Sequence, residues 1–214
     1  MIKNVNKGHT LLIKGPARVT VLEGKIDVLG KIFLPEKDSS NNPPTNNRNV
    51  LIIPSAQSYP LYGLEKSKLE IYTNIEEFIK LIEENSISTE WIETKDSIIK
   101  ALKENTNAPL KIMVLGISSG KTTFIKYLAN NFLKEGLKGG YLDSDLGQQI
   151  IYIPTTINIG SIDDYIVSSE NINSEKTFFI GATFPKGDFK FIVSVSSRKL
   201  IDDYITKNKN IDFI

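Results

Sequence analysis

The chain has 214 residues, of which 40% are apolar and 24% charged, and its net charge is +1. This is the composition of a globular protein with room for one large or two small cores, and the charge balance argues against a protein that coats long nucleic acid through many phosphate contacts. There is no cysteine and only one histidine, His9, so disulfides, iron–sulfur clusters, cysteine zinc sites and histidine metal clusters are excluded and a bound metal must have oxygen ligands.

The first 73 or so residues read as short strands: Thr10 to Lys14, Ala17 to Glu23, Lys25 to Leu29, Val50 to Ile53 and Lys68 to Tyr72, punctuated by Gly15-Pro16 and Glu23-Gly24. Apolar and polar residues alternate through Ala17 to Glu23, as in a half-buried strand. A small β-sandwich or barrel is expected. Between Pro35 and Arg48 the chain is too polar and too rich in Pro and Asn to bury anything, and reads as a loop between strands. Asn74 can cap a short helix with Glu77 in its first turn and Ile75, Phe78, Ile79 and Ile82 on one face. A second helix is expected over roughly Thr94 to Lys103, broken by Glu104 to Pro109, and the domain boundary is placed there: residues 1–108 β-rich with connecting helices, 109–214 a second domain.

Leu110 to Leu115 is an apolar run that reads as a buried strand. It leads into Gly116 Ile117 Ser118 Ser119 Gly120 Lys121 Thr122 Thr123, and then Ile125, Leu128 and Phe132 recur on one helical face that Gly136 can end. Strand, glycine-bounded loop and helix start form the layout of a phosphate-binding loop. Backbone N–H groups of Gly116, Ser118, Ser119, Gly120 and the first helical residues, Thr123 included, would cradle phosphates. Lys121 would neutralise β/γ oxygens and the Thr122 hydroxyl would ligate Mg²⁺. The usual pattern has one more residue between its glycines than Gly116 and Gly120 enclose, so the loop is short or its first glycine is displaced to the position of Leu115.

After the helix comes a strand ending at Tyr141 Leu142 Asp143, as in an open α/β sheet whose ligands bind beyond the carboxyl ends of the strands. Asp143 Ser144 Asp145 Leu146 Gly147 Gln148 therefore places two carboxylates on the same sheet edge as the phosphate loop. Such acids can hold Mg²⁺ or accept a proton from an attacking hydroxyl. No run reaches the roughly 18 apolar residues of a membrane span, and Met1 to Val5 lacks the apolar core of a signal peptide. An intracellular location, cytoplasmic in a prokaryote, is expected, with no membrane partner.

Four segments together resemble the polynucleotide 5′-hydroxyl kinase family of pre-mRNA cleavage, tRNA splicing and rRNA processing, in an archaeal-like form: Gly116 to Thr123, the Asp-x-Asp-x-Gly-Gln run at Asp143 to Gln148, Gly181 to Gly187, and the β-rich N-terminus with Gly15 to Val19 and Val28 to Gly30. The resemblance implies an α/β P-loop NTPase domain with an open, mostly parallel sheet, preceded by a small all-β sandwich-like domain. It implies ATP and Mg²⁺ as cofactors, RNA or DNA 5′-OH ends as substrates and protein partners in RNA processing. Carried over by residue, Lys121 and Thr122 bind phosphate and Mg²⁺, Asp145 is the base for the 5′-hydroxyl, Asp143 supports the metal, Gln148 positions substrate, and Lys68 contacts the adenine.

Asn210 to Ile214 resembles the start of the strand that in this family leads to an Asp/Asn-Thr-x-Gly-Trp clasp and an arginine-bearing lid; neither is recognisable here. The P-loop domain is thus expected to be incomplete at its C-terminal end. Loss of such arginines costs on the order of a thousandfold in rate, so a poor kinase is expected from these residues alone. A fragment, a split gene product and a reduced homologue all fit. The alternatives are a catalytically silent nucleotide-binding scaffold and another phosphate-loop NTPase; the second leaves the β-rich N-terminus unexplained, and the chain has no Asn-Lys-x-Asp guanine-reading sequence.

Overall fold

The computed structural model describes residues 1–36, 49–105, 109–116, 119–167 and 172–214. They form two compact units, Met1–Glu93 and Thr94–Ile214.

Among the described residues the first unit has nine strands: β1 (Ile2–Val5), β2 (Thr10–Lys14), β3 (Ala17–Glu23), β4 (Ile26–Val28), β5 (Lys31–Phe33), β6 (Val50–Ile53), β7 (Ser58–Gly63), β8 (Ser67–Thr73) and β9 (Ile79–Ile82). They make two antiparallel sheets, ordered β1-β8-β3-β6 and β5-β4-β7-β2-β9. The period-two reading of β3 is observed: Ala17, Val19 and Val21 are buried, and Val19 and Val21 face the equally buried Ile71 and Leu69 of β8. Such cross-strand apolar pairs fix the register, because a one-residue slip would turn them all to water. The expected loop over 35–48 falls largely on residues 37–48, outside the described residues.

The helix expected after Asn74 does not form. Glu76–Phe78 make one 3-10 turn, and Ile79–Ile82 continue as β9, pairing with β2 at Ile13↔Ile79 and Leu11↔Leu81. The β-branched Ile79 and Ile82 suit a strand, and the edge of β2 offers hydrogen bonds that an isolated helical turn cannot match.

In the second unit α1 (Thr89–Glu104) begins just ahead of the division, and α2 (Lys121–Lys134), β10 (Gly140–Asp143), β11 (Thr156–Ser161), β12 (Lys176–Phe179) and α3 (Phe189–Lys207) follow. The units divide ahead of the expected boundary at 108/109, because Ile98, Ile99 and Leu102 of α1 pack into the core of the P-loop unit with Leu128, Phe132 and Phe213. A second core, under α3, joins Ile157, Ile159, Leu200 and Tyr204.

The sheet corrects the sequence reading. Strands β10, β11 and β12 pair antiparallel in that order. Among the described residues of this unit, parallel pairing is confined to bridges from Phe213 to Leu110 and to Gly139. Leu110 to Leu115 is not a buried strand either: beyond Leu110 it is irregular, and Met113 and Leu115 are each 80% exposed. A central strand needs a partner on each edge and cover on each face. Among the described residues Asp212–Ile214 reaches only as far as Ile112 along this run.

Two predictions belong to this core. Phe132 is 2% exposed and meets Phe213 edge to face at 4.8 Å. Phe132→Ala is expected to cost about 3–5 kcal/mol, read as a lower denaturant midpoint with an unchanged slope. Lys126 is buried on α2 with Nζ donating to the Val167 carbonyl at 3.0 Å, and burial pushes its pKa down to about 8. A lysine depressed in the fold binds its proton less tightly there than in the unfolded chain, so its contribution to stability rises with pH from about 8 to the ordinary lysine value near 10.4. Between pH 8 and 10 the stability of Lys126→Met, subtracted from that of the parent, is expected to leave a positive slope; equal slopes in both proteins would refute this.

Candidate nucleotide and acidic site

The phosphate loop turns on two glycines. A Cβ on Gly116 would lie 2.0 Å from Ser119 Oγ, and Gly120 has φ +79°, a left-handed conformation that side chains resist. Gly120 precedes α2 with no side chain capping the helix. The N–H groups of Lys121, Thr122 and Thr123 at this uncapped first turn, with the positive end of the helix dipole, suit an anion. Lys121 Nζ folds back to donate to the Gly116 carbonyl at 2.7 Å, spanning the mouth of the loop. Ser119 and Gly120 are exposed, as is Thr122. Ser118, with Ile117, lies outside the described residues.

Helix α2 holds this turn in place. Leu128 and Phe132 are buried, as their spacing implies, and the helix ends ahead of Gly136. Asn130 adds a polar pin, its Oδ1 accepting from the Ile166 N–H at 2.7 Å and its Nδ2 donating to the Ile166 carbonyl at 3.1 Å.

The acidic loop leaves the end of β10. Asp143 is 4% exposed; its Oδ2 accepts from the Ile150 N–H at 2.7 Å and its Oδ1 from the Asp145 N–H at 3.1 Å. Burial pushes the Asp143 carboxyl above the ordinary carboxylate range, backbone N–H groups pull the other way, and the neighbouring charge of Asp145 raises it further. Asp145 is exposed, and its Oδ1 accepts from the N–H groups of Gly147 and Gln148 at 3.1 and 3.0 Å. The two carboxylates thus differ: one is fixed and dry, the other open to an incoming group.

A residue the sequence reading passed over organises this loop. Gln149 Nε2 donates to the carbonyls of Asp145 at 2.7 Å and Thr156 at 2.8 Å, with the Asp143 carbonyl at 3.3 Å, while its Oε1 accepts from Asn158 Nδ2 at 2.9 Å. Asn158 is fully buried on β11, so the loop is tied to the sheet through side-chain amides. The only available signal was a second glutamine beside the motif, which carries no period or charge. Gly147 approaches the carbonyl of Thr183, bringing the Gly181–Gly187 segment against the acidic loop.

Lys121, Thr122, Asp143, Ser144, Asp145 and Gln148 line one cavity of about 360 Å³ within the second unit. The two motifs therefore meet at one site. Lys68 lies on β8 of the first unit, where its Nζ is 3.4 Å from Glu23 Oε1.

Residues 116–212 match the family described as the mRNA cleavage and polyadenylation factor CLP1 P-loop. Curated relatives include polyribonucleotide 5′-hydroxyl-kinases of Pyrococcus abyssi, 36% identical over 40% of this chain and 25% of the relative, and of Methanocaldococcus jannaschii, 35% identical over 55% of this chain and 32% of the relative. A third, from Pyrococcus horikoshii, is 33% identical over 44% of this chain and 27% of its own length. The chain thus matches about a quarter to a third of these relatives. Two solved structures of Clp1p with Pcf11p superimpose over 99% of this chain with TM-scores of 0.76 and 0.75, at 14% and 15% identity, and the chain covers 52% and 51% of theirs. No helix among the described residues is long and apolar enough to cross a membrane. Residues 116–212 thus match the CLP1 P-loop family, within a fold shared with Clp1p.

Proposed function

We propose that the cavity binds ATP with Mg²⁺ and that the chain serves transfer of the γ-phosphate to the 5′-hydroxyl end of RNA or DNA. The observation that carries this reading is the convergence of Lys121 and Thr122 with Asp143, Asp145 and Gln148 on one cavity. The donor set fits Mg²⁺: a hydroxyl and a carboxylate are the hard oxygen ligands it takes, and Asp143 is buried with no cationic side chain paired to it among the described residues. Thr122 and Asp143 would hold the ion, which when bound neutralises charge on the transferring phosphoryl group.

In this reading Lys121 leaves the Gly116 carbonyl to meet β/γ oxygens, while the N–H groups opening α2 bind the phosphate chain. Asp145, held by two backbone donors on Oδ1, presents its other oxygen to the 5′-hydroxyl and takes the hydroxyl proton as the hydroxyl oxygen attacks the γ-phosphorus and ADP leaves. Gln148, next along the same turn, positions the strand end. The archaeal relatives named as polyribonucleotide 5′-hydroxyl-kinases favour RNA as the substrate.

The test is transfer of labelled γ-phosphate from ATP to a short 5′-OH RNA. Transfer by this chain, lost in both Lys121→Ala and Asp145→Ala, is the expected result. Tight Mg²⁺–ATP binding without transfer would support the silent scaffold instead.

A further inference from the structure

The side chains of β10 divide between two faces. Leu142 packs with Leu200 and Tyr204 in the core under α3, so Tyr141 and Asp143, one residue to either side, turn to the face that α2 covers. The Tyr141 ring lies there against the core that holds Leu128, Ala129 and Phe132. Tyr141, Asp143 and Thr122 all line the cavity of the proposed site.

That packing does not account for the Tyr141 hydroxyl. It has no hydrogen-bond partner among the described residues, and it is not sealed in the core, so it opens to the cavity. A ring that only filled apolar space would be better served by phenylalanine, because a polar group drawn out of bulk water without a partner costs free energy. Asp143 does not use the hydroxyl either: its two oxygens accept from the N–H groups of Ile150 and Asp145. The charges of Asp143 and Asp145 both act on the phenol, which with burial raises its pKa, so the group is a neutral hydroxyl beside two carboxylates. Strands add at the edges of a sheet and α2 already covers this face, so the hydroxyl is left to whatever enters the cavity.

We infer that Tyr141 is a further positioning residue of the nucleotide site, its hydroxyl accepting a hydrogen bond from a water on the Mg²⁺ that Thr122 and Asp143 hold. The inference rests on the nucleotide reading above and adds to it a residue that reading leaves unused. Mg²⁺ dehydrates reluctantly and keeps several waters, and each of these needs an acceptor wherever bulk solvent is excluded. On the inner side of the cavity Ile125, Leu128 and Phe132 offer none from their side chains, and the Tyr141 oxygen does. Partners of this outer kind orient the groups around a metal, and their loss costs about 10–100-fold in metal affinity.

The test is calorimetric titration of ATP into the full chain, once with Mg²⁺ and once with EDTA, the ratio of the two affinities being the gain due to the ion. In Tyr141→Phe that gain is expected to shrink about tenfold, while affinity in EDTA stays within about twofold of the parent. Melting without nucleotide is the second readout. Tyr141→Phe has no bond to lose and is expected to melt where the parent does. Tyr204→Phe, which loses the hydrogen bond shared with Ser161 Oγ at 2.9 Å, is expected to melt lower and to keep the parental gain from Mg²⁺. An undiminished gain in Tyr141→Phe would overturn the inference, as would equal losses of affinity in Mg²⁺ and in EDTA, or a loss of stability matching that of Tyr204→Phe. A parent chain that binds ATP no more tightly with Mg²⁺ than without it would overturn the nucleotide reading itself, and the inference with it.

Discussion

Lys121→Ala is expected to lower the rate of γ-phosphate transfer by about 10²–10³-fold, the cost of removing one preorganised cationic donor from a developing phosphoryl charge. The fold is expected to keep its stability. Lys121 opens α2, its Nζ contact is to the Gly116 carbonyl of its own loop, and alanine is a good helix former there. ATP affinity is expected to fall as well, because the ammonium meets β/γ oxygens in the ground state and not only in the transition state. The informative comparison is ADP against ATP: the loss of affinity in Lys121→Ala is expected to be larger for ATP, measured by calorimetry at fixed Mg²⁺. A variant that binds ATP as tightly as the parent and transfers phosphate at the parental rate would remove Lys121 from the site.

The parts legible from sequence were those where one chemical requirement fixes one residue type. Helix α2 was readable because Ile125, Leu128 and Phe132 share a face, and its start because Gly120 and Lys121 have no ordinary structural reason to stand together. Asp143 was placed correctly at a strand end because Tyr141 and Leu142 precede it and Gly147 turns the chain after it. Strand β9 was misread because Ile75, Phe78, Ile79 and Ile82 satisfy a helical spacing; the choice was made by the open edge of β2, a contact distant in sequence. The parallel sheet failed for a related reason. Apolar content marks Leu110 to Leu115 as a strand, but pairing belongs to two segments, and among the described residues Phe213 alone bridges this run and β10's neighbour Gly139. Gln149 was invisible because its role is a set of amide bonds to backbone carbonyls, and backbone positions are not written in residue types. Ser118 was read as a phosphate ligand and remains a proposal on the loop pattern alone.

Asp145→Asn is the sharper test of the chemistry, since it separates basicity from shape. Asn keeps an oxygen that can accept from Gly147 and Gln148 N–H, so the turn is expected to stand and thermal stability to change by less than about 1 kcal/mol. What is lost is the capacity to take a proton, and general-base contributions of this kind amount to about 10²–10⁴-fold in kcat. KM for ATP is expected to rise little. Asp143→Asn should behave differently. Both Asp143 oxygens accept from backbone N–H groups, so an amide nitrogen there would face the donor of Ile150 or of Asp145. That variant is expected to lose stability and Mg²⁺ dependence together, while Asp145→Asn loses turnover alone. The measurement is kcat and KM on a 5′-OH RNA across a Mg²⁺ titration, with a melting curve for each protein. Equal, purely kinetic losses in the two variants would mean that the buried and exposed carboxylates do not divide metal binding and proton transfer between them.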